Sequence, residues 1–336
     1  MATGTTQAGS TTGSSATNGS GGNSTSSEGS SATSQSTSGA TTGGSQEGPD
    51  VQVGLISIEL IPVNPVTGTA AHTAFQGAVR EAPDKQTIIW ELAESVGDCE
   101  LYTPRIPFCE TACGSDAACV EDDVCEAYPA RVSVGTISIK GAMLTDGGSE
   151  FSVNPIGANF NYLAGASVSL AYPPFAEGDT VELAATGGDY QPFSISTQGI
   201  APLEVGGEDP LPMQRDEPLA LTWTKAGVTT SRIDILVDIS HHGGVKGKIV
   251  CDVADSGDYS IDASLVTQLM DLGVAGFPTV KLSRHSVGSA RIALGRVDFE
   301  TVSVVERPLA IPGLTSCNTQ ADCEADQTCL QDRSCG

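Results

Sequence analysis

The stretch CELYTPRIPFCETACGSDAACVEDDVC, from Cys99 to Cys125, carries five of the ten cysteines in the chain. A shorter stretch near the other end, CNTQADCEADQTCLQDRSC (Cys317 to Cys335), repeats its five-residue gaps between cysteines. Such short, polar segments cannot bury a hydrophobic core, so covalent links must replace one. We therefore predict two small disulfide-rich knots, a first knot at residues 98–129 and a terminal knot at residues 311–336.

Disulfides explain the cysteine spacing better than zinc does. A structural zinc site favours two close pairs of ligands, whereas the gaps here are mostly five residues and no histidine lies nearby. Cys251, in IVCDVADSG, is the one cysteine outside both knots. If no thiol is free, it must bond to the first knot, and Cys99 is favoured as the most distant member. The repeat then suggests alternating pairs in both knots: Cys109–Cys119, Cys113–Cys125, Cys317–Cys329 and Cys323–Cys335. Four cysteines allow three connectivities, so the alternatives stay open.

Composition limits the partners and the compartment. The net charge of −25 argues against nucleic acid or an anionic membrane surface as a partner, because both attract clustered Lys and Arg. No apolar run approaches the roughly 20 residues of a membrane-spanning helix. The many cysteines indicate an oxidising compartment, so we expect an exported protein that is extracellular or at the cell surface.

Residues 1–50 consist almost entirely of Ser, Thr, Gly and Ala. This composition lacks a periodic apolar face and predicts a disordered tether. A flexible tract at this position is similar to the tether of a lipoprotein, which implies an N-terminal lipid anchor. The lipid-bearing cysteine of such an anchor would precede the tract and is not in this sequence.

The rest of the chain has the alternating pattern of β-strands. In VGLISIELI, Ile56, Ile58 and Leu60 alternate with Ser57 and Glu59, which is typical of a half-buried strand. Further segments predict strands in the same way: QTIIWELAE, RVSVGTISIKG, ASVSLAY, DTVELAAT, PLALTWT, SRIDILVDI, GKIVCDVA, VKLSRHS and RVDFETVSVVE. Pro and Gly turns between them indicate an all-β fold. We predict two antiparallel β-sandwich domains, at residues 51–205 (with the first knot inserted) and 206–310.

One segment, SIDASLVTQLMDLG, predicts a short helix instead. Leu265, Leu269 and Leu272 recur at helical spacing, Asp262 or Ser260 is suited to the N-cap, and Gly273 to the end.

The chain resembles a family of surface lipoproteins that are abundant in myxobacteria. The resemblance rests on LALTWT, IVCDVADSGDYSIDASLVTQLMDLG and IPGLTSCNTQADC, and it covers most of residues 130–336. Members similarly combine a low-complexity tether, β-sandwich repeats and short Cys-rich knots. The resemblance implies a surface location and assigns no catalytic residue.

Two groups of residues are candidates for a metal or for catalysis. Asp238, His241 and His242 follow a predicted strand and suit a metal site or a general base; the alternative is a polar strand-to-turn junction, since adjacent residues of a strand point to opposite faces. Asp252, Asp255 and Asp258 surround Gly257 and favour Ca²⁺ as an ion, but EF-hand spacing is missing and a solvated acidic loop is the alternative.

The aromatic residues divide into expected core residues and candidates for a contact surface. Trp90 and Trp223 lie in alternating strands, where we expect core positions. Four tyrosines near turns are the better candidates for a contact surface: Tyr162, Tyr172, Tyr190 and Tyr259. The folded part contains no nucleophile-elbow or nucleotide-binding motif. We therefore expect a non-enzymatic protein without a cofactor, which serves adhesion, envelope structure or ligand binding, with an envelope component or polysaccharide as partner. The alternatives are a carbohydrate-binding module and a metal-dependent hydrolase that uses His241 or His242.

Overall fold

The computed structural model describes residues 48–63 and 68–336, where it contains nineteen β-strands, one α-helix and a 3-10 helix at Gln320–Asp322. The all-β prediction is confirmed. The predicted tether lies almost wholly outside the described residues. The elements, in chain order, are β1 (Gln52–Ile61), β2 (His72–Arg80), β3 (Ile89–Val96), β4 (Cys99–Arg105), β5 (Ala117–Glu121), β6 (Val124–Ala127), β7 (Arg131–Val132), β8 (Ile137–Lys140), β9 (Glu150–Val153), β10 (Tyr162–Leu163), β11 (Thr180–Ala185), β12 (Phe193–Gln198), β13 (Leu211–Pro212), β14 (Leu219–Thr222), β15 (Arg232–Asp238), β16 (Lys248–Ala254), β17 (Asp258–Ile261), α1 (Ala263–Asp271), β18 (Thr279–Ile292) and β19 (Gly295–Ala310).

One large sheet, the main sheet, connects the two halves of the chain. Its strand order is β10-β2-β1-β19-β18-β15-β16-β4-β3, with β13 added beside β19 and β7 beside β2. The main sheet therefore takes strands from both predicted domains, and its hydrogen bonds cross the boundary we placed at residue 205. Two pairs, β1 with β19 and β13 with β19, are parallel, which differs from the purely antiparallel arrangement we predicted.

Two hydrophobic cores lie against the main sheet. The first core is covered by a four-stranded sheet of order β12-β11-β8-β9, and it includes Ile56, Phe75 and Phe299. Thr197 of β12 joins this layer to the main sheet, because its hydroxyl donates to the carbonyl oxygen of Ser286 at 2.8 Å. The second core includes Ile235 of the main sheet together with residues of α1, β14 and β17. The first core includes Phe299 from the second predicted domain and the second core includes Leu101 from the first, so both cores cross the predicted boundary.

The local sequence predicted α1 correctly, but it also predicted one strand that does not form. The Asp262 side chain caps α1 by accepting from the backbone N–H of Ser264 at 2.8 Å, and Gly273 follows the helix with φ 96°. Leu265 and Leu269 are buried in the second core. The segment ASVSLAY, by contrast, begins with a turn and makes only a single bridge at Leu170. Its alternation was too short to define a strand.

All five predicted disulfides are confirmed: Cys99–Cys251, Cys109–Cys119, Cys113–Cys125, Cys317–Cys329 and Cys323–Cys335. Four of them close the two knots. The Cys99–Cys251 bond instead joins directly opposite residues of the neighbouring strands β4 and β16, with the two Cα atoms 4.1 Å apart, and it is buried in the second core. Five disulfides indicate an oxidising environment.

We predict that thiol labelling will find no reactive cysteine. The protein, denatured without reductant, should incorporate no maleimide, because none of its ten cysteines is free. After reduction it should incorporate ten labels, counted by mass spectrometry. Stoichiometric labelling before reduction would contradict the disulfide assignment.

A buried ion pair connects the two halves of the structure. Arg284 of β18 is fully buried, and its Nε and Nη2 atoms donate to the two carboxylate oxygens of Asp255 at 2.6 and 3.1 Å. Its other donors reach the carbonyl oxygens of Ala201 (3.2 Å), Pro202 (3.1 Å) and Thr224. One guanidinium therefore holds together the main sheet and two loops.

Asp255 receives two further hydrogen bonds. The Trp223 indole and the Ser231 hydroxyl each donate to it at 2.8 Å. Burial alone raises the pKa of this carboxyl, but the hydrogen bonds from Arg284, Trp223 and Ser231 outweigh it and hold the pKa below its ordinary value. The stabilisation that Asp255 contributes is therefore present above the ordinary pKa of Asp and is lost as the pH falls through the lowered one.

We expect Arg284→Met to lower the free energy of unfolding by about 3–5 kcal/mol, because it leaves a buried carboxylate without its cation. Chemical denaturation at neutral pH measures this change. Arg215→Met is the matched control, since Arg215 pairs with Asp271 at the exposed surface and its loss should cost about 1 kcal/mol or less. Equal losses for the two variants would disprove the central role of Arg284.

Candidate functional site

One face of the main sheet carries polar side chains and no hydrophobic core. In β15, Ile233, Ile235 and Val237 are buried in the second core, whereas the alternate residues point to the opposite face: Asp234, Leu236 and Asp238. The strand register continues this second face across β4, β16, β18, β19 and β1. We call it the polar face.

The connection between β2 and β3 requires the sheet to curl. Arg80 and Ile89, which end β2 and begin β3, belong to strands seven steps apart in the order of the main sheet. Seven strand spacings amount to roughly 34 Å, whereas a fully extended chain from Arg80 to Ile89 reaches only about 32 Å, and this segment has bends. The main sheet is therefore curled between β2 and β3, and the polar face lies on the side opposite the two cores.

An aromatic cluster of Trp90, Tyr102 and Lys248 lies at the β3 end of this face. The ammonium of Lys248 lies 4.1 Å from the centroid of the Trp90 ring and 5.8 Å from that of the Tyr102 ring. The Tyr102 hydroxyl donates to the Glu100 carboxylate at 2.5 Å. All four side chains are partly accessible to solvent. Aromatic rings beside a cation and a carboxylate combine an apolar surface with hydrogen-bonding groups.

A second cluster lies farther along the polar face, around His285 of β18. Its Nδ1 is 3.3 Å from Oδ2 of Asp234, and the side chains of His285 and Asp234 are 16% and 52% exposed. Glu300 of β19 interacts electrostatically with both residues. One carboxylate, that of Asp234, therefore pairs with the imidazole, and the Glu300 carboxylate lies within electrostatic range of both.

Burial shifts the pKa values of several charged groups on the polar face. Burial raises the pKa of Asp234 and of Glu300, and the charge of His285 only partly opposes this. Burial likewise lowers the pKa of Lys248, against the effect of Asp238. The pKa of Asp234 is raised by this desolvation although its side chain is 52% exposed.

Four charged groups of the polar face have no hydrogen-bond or ion-pair partner among the residues that the structure describes: Glu59, Lys248, Lys281 and Glu300. All four are partly buried. Their polar atoms are available to water or to a ligand.

The two adjacent histidines lie elsewhere, in the turn after β15. Because β15 ends at Asp238 and His242 has φ 63°, the two rings lie beside each other, with centroids 4.0 Å apart. Our expectation that they point to opposite faces was wrong. His241 Nδ1 is 3.9 Å from Oδ2 of Asp238, whose other oxygen accepts from the backbone N–H and the hydroxyl of Ser240.

The structure does not assemble a metal site from these residues. Within residues 48–63 and 68–336, the only groups of three candidate ligand atoms within 4.8 Å of one another are cysteines that form the disulfides of the knots. His285 pairs with Asp234 and is not part of a set with His241 and His242.

The three aspartates that we considered as calcium ligands have different surroundings. Asp255 is engaged by Arg284, Trp223 and Ser231, so the hypothesis that it binds calcium is corrected. The Asp252 carboxylate accepts from Arg232 Nε at 2.5 Å, and Asp258 is exposed.

The structure confirms only some of the predicted positions of the aromatic residues. Trp223 is a core residue, as expected, but Trp90 lies at the edge of the sheet in contact with Lys248. Tyr162 is fully buried, and Tyr172, Tyr190 and Tyr259 pack against the two cores, so none of the four forms an open contact surface. The sequence analysis missed Tyr102, Lys248 and Glu300, because only strand register brings them to one face.

Comparison with protein-family models gives no match for this chain, and comparison with curated proteins gives none either. No helix in the described part of the chain is long and apolar enough to cross a membrane.

We predict that Glu300→Gln will be more stable relative to wild type at pH 7 than at pH 3. The raised pKa means that the native state binds more protons than the unfolded state above the ordinary Glu pKa, so ionisation of Glu300 removes stability as the pH rises. Urea denaturation across this pH range tests the sign. The control is Glu182→Gln on the exposed side of β11. A relative stability of Glu300→Gln that rises toward acid pH would contradict this account.

Proposed function

We propose that this protein is an exported, non-enzymatic surface protein that binds a polysaccharide through its polar face. The observation that carries the proposal is the aromatic cluster, where Trp90, Tyr102 and Lys248 meet on the polar face and are each partly accessible to solvent. Flat rings offer an apolar surface to a sugar ring, and neighbouring charged groups offer hydrogen bonds to its hydroxyls.

The proposal also includes the location of the protein and the way in which it is attached. The five disulfides support export. The Ser/Thr/Gly-rich tract at residues 1–50 suits a spacer between an anchor and a binding domain. The resemblance to surface lipoproteins agrees with this arrangement. We propose that the protein is displayed at the cell surface, for adhesion or for holding envelope polymers.

Binding is favoured over catalysis for a geometric reason. His241 and His242 lie in a turn near one carboxylate, without the three protein ligands that a catalytic zinc usually has. A carbohydrate-binding role needs only a shaped surface with aromatic and polar groups, which is what the polar face offers.

Co-sedimentation tests the proposal. The full chain is mixed with isolated cell envelopes and with insoluble polysaccharides, with and without EDTA. We expect saturable binding to at least one fraction, and Trp90→Ala should weaken it by about tenfold or more, equivalent to about 1.4 kcal/mol. Loss of binding in EDTA would bring a metal ion into the site.

The matched control is Phe108→Ala, which removes a 72% exposed aromatic residue from the first knot and leaves the polar face intact. Trp90 is outside both cores, so its replacement should preserve the fold, which circular dichroism checks. Equal binding by wild type and Trp90→Ala would reject the polar face as the binding site.

A further inference from the structure

We infer that the ligand of the polar face is an uncharged pyranose polymer rather than a polyanionic or polycationic one. This inference rests on the proposed function, which leaves the class of polysaccharide open. It follows from how charged groups of opposite sign alternate across the strands.

Alternation is clearest in one row of the sheet. Tyr102, Lys248 and Asp238 are directly paired on β4, β16 and β15, so neighbouring groups are about 4.8 Å apart. Glu100, which accepts a hydrogen bond from the Tyr102 hydroxyl, adds a carboxylate on the other side of Lys248. An anionic polymer that approaches Lys248 would meet carboxylates on both sides, and a cationic polymer would meet Lys248 itself. Neither kind of ligand matches this row.

The four charged groups that have no hydrogen-bond or ion-pair partner within the protein also favour an uncharged ligand. Lys248 and Lys281 can only donate hydrogen bonds, whereas the ionised carboxylates of Glu59 and Glu300 can only accept them. None of these four has a hydrogen-bond or ion-pair partner in the described parts of the chain, although the Lys248 ammonium lies over the Trp90 ring. A hydroxyl group donates and accepts, so a ligand rich in hydroxyls can satisfy both kinds. Carboxylate groups of a ligand could pair only with the lysines, and ammonium groups only with the glutamates.

The whole chain strengthens the argument against polyanions. Its net charge is −25, so a polyanion is repelled at long range wherever salt does not screen the interaction. At the aromatic cluster, the half-buried ammonium of Lys248 disfavours a second cation in the same place.

The length of the face indicates a polymer. From Tyr102 on β4 to Glu300 on β19 the face crosses four strand spacings, about 19 Å. The strand registers also offset the two residues by eight positions along the strands, about 27 Å. A single sugar ring is shorter than this span, so a ligand that meets both the aromatic cluster and the His285 cluster must contain several rings. Affinity should therefore rise with oligosaccharide length until the span is filled.

A polymer panel tests the inference. Affinity electrophoresis of the full chain is run with neutral glucans and mannans, a polyuronate and a polyglucosamine, at roughly 0.01 M and 1 M salt, where the Debye lengths are about 30 and 3 Å. We expect a neutral polymer to bind best, with less than a twofold change in affinity between the two salt concentrations. Trp90 fluorescence, with Trp90→Phe as the blank, reports binding at the aromatic cluster.

Variants test the hydrogen-bonding groups. Lys248→Met and Glu300→Gln should each weaken binding of the neutral polymer by about fivefold or more, as expected for the loss of a net hydrogen bond to a charged group. Lys140→Met, which removes an exposed lysine from β8, should not.

The outcomes separate the two proposals. If only a charged polymer binds, and high salt abolishes that binding while Trp90→Ala still weakens it, the inference fails and the proposed function stands. If no polymer binds, the proposed function fails and the inference with it.

Discussion

The fold depends on the ion pair between Arg284 and Asp255. Burying a guanidinium and a carboxylate is costly unless both are fully hydrogen-bonded, and here every donor group of Arg284 finds an oxygen. These contacts fix the loop at residues 201–202, which leads from the first core into the second, and the loop at residue 224, which lies within the second. Removal of either partner would leave the other charge buried and unpaired, which is strongly destabilising.

The main sheet shows why two cores do not make two independent units. β1 comes from the beginning of the described chain and β19 from near its end, yet they pair side by side. β4 joins β16 across an equally long separation, and the Cys99–Cys251 bond holds that pair. The binding face that we propose is built from both ends of the sequence, so it exists only when the whole sheet is formed.

Local features of this structure were predictable from sequence, and long-range ones were not. The alternation in β1 and β15, the Asp262 cap of α1 and the cysteine repeat each depend on residues a few positions apart. Parity placed the partner of Cys251 in the first knot, and the distance of Cys99 from the other members of that knot favoured Cys99. Pairing of β1 with β19 left no local signal, so the domain boundary was placed between cores that share a sheet. Asp255 was read as an ion ligand because its true partner, Arg284, lies 29 residues away. Trp90 was assigned to a core because alternation does not reveal which strand forms the edge of a sheet.

The position of β1 has a mechanical consequence. This strand lies between β2 and β19 inside the main sheet, and the chain ahead of it would carry any load between the protein and an anchor. A pull on that chain acts along the axis of β1, so it loads both hydrogen-bonded ladders in shear, and their bonds must break together rather than one after another. Asp50, just before β1, is also held by Arg291 and Arg296. Resistance to force is governed by the unfolding rate, and a protein that binds a polymer in moving fluid would benefit from a strand placed in this way.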